Sequence, residues 1–311
     1  MKQKEKKIRG PKCSLRETRN SYLMMLPFGL LFSCFILIPV LASIVLSFTD
    51  FNMVQFPSFI GLDNYLRMFM DDSVFLISLK NTIIFAILTG PLSYVMCLFF
   101  AWLVNELNDR LRTIFTFFLY IPSMSSALYV VWAFIFSGDQ YGLLNSIIMD
   151  LGLMKEPQQW LTDPKYIMGA IIVVQLWLSL GTSFLSFIAG FKGVDRQQYE
   201  AAAVDGVTNR LQELWLITLP NMGPQLLFGA VMQIGASFAA GSVGMALIQA
   251  AGAGAAGIST DYAASTLVTH MADMGTVRNE MGYACAIAVF LFIMMIVFNN
   301  VIRKALCKFT A

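Results

Sequence analysis

Six apolar blocks, each long enough to cross a lipid bilayer, leave a chain of this kind few ways to fold. They occupy residues 22–48, 82–104, 114–136, 167–191, 226–248 and 283–302. A hydrocarbon core about 30 Å thick takes roughly 20 helical residues. Lipid offers no partner to a backbone N–H or C=O, so each block must satisfy its own hydrogen bonds as a helix. The alternation that marks barrel strands is absent. Charged residues are only 13% of the chain and hydrophobic ones 57%, whereas a soluble domain carries roughly 25% charge. The expectation is an all-α membrane protein with six transmembrane helices.

Orientation follows from lysine and arginine, which are retained on the cytoplasmic side. Eight of them lie in residues 1–21, before the first block. That block is too long for a signal peptide and lacks a small-residue cleavage site, so it reads as a retained anchor. With this tail inside, sixteen of the 21 basic residues fall in cytoplasmic segments, among them Arg110, Arg112, Lys192, Arg196, Arg210, Arg303 and Lys304. Eleven acidic residues, including Asp71, Asp72, Asp139, Asp163 and Asp273, fall outside. Both termini are therefore expected in the cytoplasm: a basic tail at 1–21, a membrane domain at 22–303 and a short tail at 304–311. The net charge of +2 gives no reason to expect nucleic acid as a partner; the basic tail suits anionic lipid head groups.

Three external loops are long, 49–80, 137–166 and 249–282. Trp160 in the second is placed to anchor at the interface. The third holds the Ala/Gly run at 250–257, a flexible linker; without a following Gly-Lys-Ser/Thr it is no phosphate cradle. Cys13, Cys34, Cys97, Cys285 and Cys307 lack metal-ligand spacing and read as reduced thiols. His270, the single histidine, has no cysteine or acidic cluster beside it in sequence, and no metal site is expected. Pro27, Pro39, Pro91 and Pro122 are expected to kink or end helices.

The most informative segment is the cytoplasmic loop 192–224. Glu200-Ala201-Ala202-Ala203 is a strong helix former, with Glu200 at the positive end of the helix dipole. Gly206 sits where a left-handed C-cap is wanted. Asn209 with Gln212 resembles a capping box, and Pro220 is expected to stop a second helix. A helix-turn-helix knob is predicted; taken alone, the pattern would also fit an interfacial linker.

Glu200-Ala201-Ala202, Gly206 and the closing Ile217-x-Leu219-Pro220 resemble the EAA loop of inner-membrane permease subunits of binding-protein-dependent ABC importers. The likeness extends through Leu26-Pro27, Pro39, Gly61-Leu62-Asp63-Asn64-Tyr65, Asn81-Thr82, Pro122, Gly142-Leu143-Leu144-Asn145, Trp177 and Gly282-Tyr283-Ala284, and looks like the carbohydrate-uptake branch, the maltose and glycerol-phosphate type. The resemblance implies a multi-pass subunit of a prokaryotic cell membrane. It implies a second, related permease, two cytoplasmic ATPase subunits that bind ATP and magnesium, and an extracellular solute-binding protein. The chain itself would hold no cofactor and carry out no catalysis. Glu200, Ala201, Ala202, Gly206, Leu219 and Pro220 would form the coupling element docking into the ATPase. Ser179, Thr182, Gln233 and Ser237 would line the solute path, with Trp177 as a stacking platform.

The residues add a constraint on cargo. The blocks hold almost no ionisable side chain, so a neutral, hydroxyl-rich solute fits better than a charge-paired one. Helix–helix hydrogen bonding stands beside solute contact as the reading of the four polar residues. The rival reading, an ion-coupled secondary transporter or channel, would need acidic or basic groups at corresponding midplane positions of two halves, and none is visible.

Overall fold

The computed structural model describes residues 15–125, 128–239, 241–252 and 259–307. Most of the basic tail (1–14), the greater part of the Ala/Gly linker (253–257) and residues 308–311 lie outside the described residues.

The described chain is helical, with one isolated bridge between Thr49 and Phe59 as its only extended pairing. Helix α1 comprises Leu15–Phe32, a π turn at Ser33–Leu37 and Ile38–Leu46. Helices α2 (Asp63–Met70), α3 (Ser73–Asn105), α4 (Asp109–Tyr120, extended by a 3-10 turn at Ile121–Met124), α5 (Leu128–Ile135) and α6 (Leu143–Asp150) follow. Next come α7 (Ile167–Leu178), α8 (Thr182–Gly193), α9 (Arg196–Val204) and α10 (Arg210–Glu213, prolonged through Leu214–Thr218 and Leu219–Asn221). The chain closes with α11 (Gly223–Ala239), α12 (Gly241–Ala250), α13 (Leu267–Ala272) and α14 (Met281–Cys307).

Four helical stretches are long and apolar enough to cross a membrane: Tyr22–Leu46, Ser73–Asn105, Ile167–Gly193 and Met281–Ala305. The count rises to six if each of two bent pairs, Asp109–Met124 with Leu128–Ile135 and Arg210–Asn221 with Gly223–Ala239, is one crossing. Two expected blocks are thus interrupted. Block 114–136 divides at the 3-10 turn around Pro122, and block 167–191 at Ser179–Gly181. The loop expected at 49–80 instead contains α2 and the start of α3, and that at 249–282 contains α13. Hydropathy misses these helices because they are amphipathic or short. Pro27 and Pro91 lie inside continuous helix, and Pro39 opens the last segment of α1.

Packing has two regimes. Around α3, α8, α11 and α14 the interior is dense: Phe184 and Phe187 are fully buried with Cys97, Ala101 and Met222, and Phe187 meets Tyr94 edge-on at 5.4 Å. A Cβ on Gly229 would overlap the Phe187 ring, so the glycine is what lets α8 and α11 approach this closely, as small residues do between membrane helices. The apolar window of α1 is the opposite case, with none of its residues buried by the rest of the chain.

Buried polar side chains pin the non-helical backbone, as a low-dielectric interior requires. The Asn64 amide donates to Ser47 O and Thr49 O at 2.9 Å, and Tyr65 and Ser47 share a hydrogen bond of 2.8 Å. The Asn81 amide donates to the carbonyls of Tyr262, Ala263 and Ser265. Asn145, 1% exposed, donates to Ser137 O, Asp139 O and Gln158 O and accepts from Gln158 N and Trp160 Nε1. Trp160, expected as an interfacial anchor, is therefore also half of an internal clamp. These contacts gather the segments read as external at one end, while Arg210 reaches Glu106 at 3.6 Å and so joins the two segments read as cytoplasmic.

His270 meets a single acidic group, Asp72, 198 residues away: Nε2 lies 2.7 Å from Oδ2, and Tyr283 OH donates to the same oxygen at 2.7 Å. Asp72 Oδ1 also caps α3 by accepting from Phe75 N at 2.9 Å. Among the described residues no group of three metal-ligating side chains forms.

Candidate functional site

The loop 192–224 folds into two helices joined by a turn. Asp195 caps α9 by accepting from Gln197 N at 3.0 Å. Helix α9 carries Glu200, Ala201 and Ala202 and ends at Val204. Gly206 adopts φ +92, the left-handed geometry that glycine takes cheaply. Asn209 Oδ1 caps α10 by accepting from Leu211 N, without a reciprocal bond from Gln212. Pro220 lies in the last turn of the second helix, which ends one residue later at Asn221. The direction changes at Met222, after which α11 leaves at 84°.

The knob is braced from beneath. Tyr199 OH and Thr218 Oγ1 are 2.8 Å apart, and Asn221 donates to Gln198 Oε1 at 2.6 Å. It exposes large apolar groups: Val204 is 88% exposed and Trp215 69%. Leu211 and Leu216 are exposed as well. Among the described residues Glu200 pairs only with Arg196 on its own helix, Nε to Oε1 at 3.2 Å, a surface contact of small energetic weight. Leu219 is half-buried at the base and Pro220 exposed. The sequence thus brings Glu200, Ala201, Ala202 and Gly206 onto one projecting unit, with Leu219 and Pro220 at its root.

The second feature is a polar cavity of about 440 Å³ among the described residues, walled by the turn at Pro122–Ser125, by α7 and by α11 and α12. Ser123, Ser125, Tyr129, Gln175 and Ser242 supply its polar lining, and Leu178, Ala236 and Val243 its apolar wall. No Asp, Glu, Lys, Arg or His lines it. Gln175 lines it and is 7% exposed, and its amide is not among the buried polar atoms left without a partner, so it is open to the cavity.

The residues expected to line the path do not line this cavity. Gln233 and Ser237 line a second, largely apolar cavity of about 320 Å³ between α3, α11 and α14; Gln233 is 4% exposed, and its Nε2 donates to Ser179 O at 3.2 Å and Cys97 Sγ at 3.0 Å. Ser179 Oγ donates to Leu176 O and Ser237 Oγ to Gln233 O. Thr182 is exposed at the start of α8. Trp177 is half-buried, edge-on to Trp132 at 5.5 Å. Ser179, Gln233 and Ser237 are brought together; Thr182 and Trp177 do not join them. Gln175, two positions from Trp177, was the polar residue to weigh, but its facing depends on where α7 breaks.

Matched against known families, residues 83–305 fit the sequence model of the binding-protein-dependent transport system inner membrane component. The chain belongs to this family. Similar members include the probable ABC transporter permease protein YesP of Bacillus subtilis, 34% identical over 72% of this chain and 71% of that protein. The arabinooligosaccharides transport system permease protein AraP of the same organism is 30% identical over 91% and 87%. The lactose transport system permease protein LacF of Rhizobium radiobacter is 33% identical over 68% and 70%. A permease chain in the crystal structure of a bacterial ABC transporter that imports alginate shares the fold, with a TM-score of 0.75, 22% identity, and coverage of 94% and 97%. Members of this family are membrane components of transport systems, which accords with the apolar helices described above.

Proposed function

We propose that this chain is the translocation subunit of an ATP-driven importer for carbohydrate-like solutes. In this reading both termini are cytoplasmic, the two bent helical pairs complete six crossings, and the knob faces the cytoplasm. The chain pairs with a related permease above two ATPase subunits, which bind ATP and magnesium, and receives solute from an external binding protein. Closure of the ATPases around ATP pushes the knob and exposes the cavity alternately to either side. ATP biases that change only through its different affinity for the two arrangements.

The observation that carries the solute class is the cavity, polar yet without Asp, Glu, Lys, Arg or His among its described lining residues, with Gln175 on its wall. Hydroxyl-rich neutral molecules satisfy such a lining, and two of the similar permeases belong to arabinooligosaccharide and lactose systems. Partner docking is supported by the knob's exposed Val204, Leu211, Trp215 and Leu216, which a cleft in the ATPase would cover, with Glu200, Ala201, Ala202 and Gly206 setting the helix and turn that present them. A panel of radiolabelled neutral oligosaccharides, offered to proteoliposomes holding the complete complex, tests the reading. Gln175→Leu should raise the solute concentration for half-maximal uptake while leaving ATPase association intact. Unchanged uptake would remove the cavity from the path.

A further inference from the structure

The membrane helix that ends in the knob is broken halfway. Helix α7 stops at Leu178 and α8 starts at Thr182. Between them Gly181 N donates back to Ser179 O at 2.8 Å, a tight local turn in place of the helical ladder. A break inside an apolar crossing is tolerated only where other groups satisfy the freed backbone. Two do so from other helices: the Gln233 amide of α11, at 3.2 Å, and the Cys97 thiol of α3, at 3.3 Å, both donate to Ser179 O, and Gln233 also reaches Cys97 Sγ at 3.0 Å. All three residues are buried, and Cys97 is wholly inaccessible.

The position of this cluster links the two features of the site. Leu178, one residue before Ser179, lines the polar cavity, and a Cβ on Gly181 would come within 3.2 Å of Ser123 Cβ on its opposite wall. On the other side α8 runs from the break to Gly193, and only Val194 and Asp195 separate it from α9. Helices α8 and α11 are locked together at Phe187 and Gly229. A displacement of the knob therefore reaches the break through α8, and carries Gln233 with it.

We propose that Ser179–Gly181 is a hinge and that Gln233, with Cys97, is its catch: a positioning residue that holds the cavity wall in this state and releases it during transport. Gln233 then acts on the path through the Ser179 carbonyl and does not contact solute. The inference rests on the transport reading, and Cys97 itself is the probe that separates the two.

In a chain whose other four cysteines are serine, assembled with its partners in proteoliposomes, the rate of Cys97 alkylation by N-ethylmaleimide is followed by mass spectrometry alongside uptake. Catch opening should change that rate by about tenfold or more between the nucleotide-free and vanadate-trapped states. Gln233→Leu, which keeps the bulk and removes the amide, should raise labelling in both states and abolish the difference, with ATP hydrolysis retained and uptake lost; Gln233→Asn should fall between. Equal labelling in every state while ATP drives uptake overturns the hinge and leaves the transport reading standing. If no ATP-dependent uptake occurs, the transport reading falls, and the Gln233→Leu arm still decides the catch: labelling equal to the parent overturns it, raised labelling supports it.

Discussion

Replacing Asp72 with alanine should destabilise the protein more than any other single substitution at a carboxylate among the described residues. Its two oxygens receive the His270 ring, the Tyr283 hydroxyl and the Phe75 N–H, at 2.7, 2.7 and 2.9 Å. The aspartate thus joins the first turn of α3 to α13 and α14. Loss of an N-cap costs about 1 kcal/mol. Each of the two side-chain bonds to a carboxylate contributes roughly 1.5 kcal/mol or more, because its donor would be left buried without a partner. His270 and Tyr283 are each 2% exposed, so little water can replace the lost acceptor, and the total comes to about 4 kcal/mol. Asp72→Asn keeps the shape and one acceptor oxygen and should cost about half that. Burial alone would raise the carboxyl, but the hydrogen bonds from Tyr283, Phe75 N–H and His270 outweigh it and hold Asp72 below its ordinary value. A lowered folded pKa means that this stabilisation is complete above the unfolded pKa, about 3.9, and is lost as pH falls below it. Unfolding of the purified chain by denaturant in detergent micelles, followed by tryptophan fluorescence between pH 3 and 7, reads both effects. A cost under about 0.5 kcal/mol for Asp72→Ala, within the range of ordinary surface changes, would refute the reasoning.

Three further outcomes are expected. Gly282→Ala places a Cβ onto the Thr49 carbonyl and disturbs the Gly282 N to Phe51 O bond of 2.8 Å, so it should cost about 2 kcal/mol in the same unfolding assay. Asn145→Ala removes five hydrogen bonds from a buried loop clamp; limited proteolysis should then cut within 137–160 at rates about a hundredfold above the parent, the equivalent of about 3 kcal/mol. Tyr199→Phe removes the bond to Thr218 beneath the knob, and hydrogen exchange across 196–221 should rise by about fivefold, near 1 kcal/mol, with no change in the apolar helices.

Much of the architecture was legible because lipid restricts the backbone so severely. The apolar blocks had to be helices, and Glu200-Ala201-Ala202 followed by Gly206 announced a helix and a left-handed turn, found at φ +92. What stayed hidden depends on partners distant in sequence. The break at Ser179–Gly181 leaves a carbonyl that Gln233 satisfies from 54 residues away, and hydropathy averages over such a gap. Gln233 and Ser237, on one helix face as expected, line a largely apolar cavity, while Gln175 lines the polar one. His270 looked isolated because its partner Asp72 lies across the fold. The asparagines of Gly61-Leu62-Asp63-Asn64 and Gly142-Leu143-Leu144-Asn145 served as marks of resemblance; the structure gives their physical role, pinning carbonyls that no helix satisfies.

The central claim is that this chain moves a neutral carbohydrate only when ATP is consumed by partners acting on its knob. The most direct test is uptake into proteoliposomes containing the complete complex, with ATP supplied on the ATPase side, for the parent chain and for Glu200→Ala after confirming that the variant folds. The account predicts uptake that requires ATP and is lost, together with ATPase association, in the variant. Uptake by this chain alone, or uptake driven by an ion gradient without ATP, would contradict it.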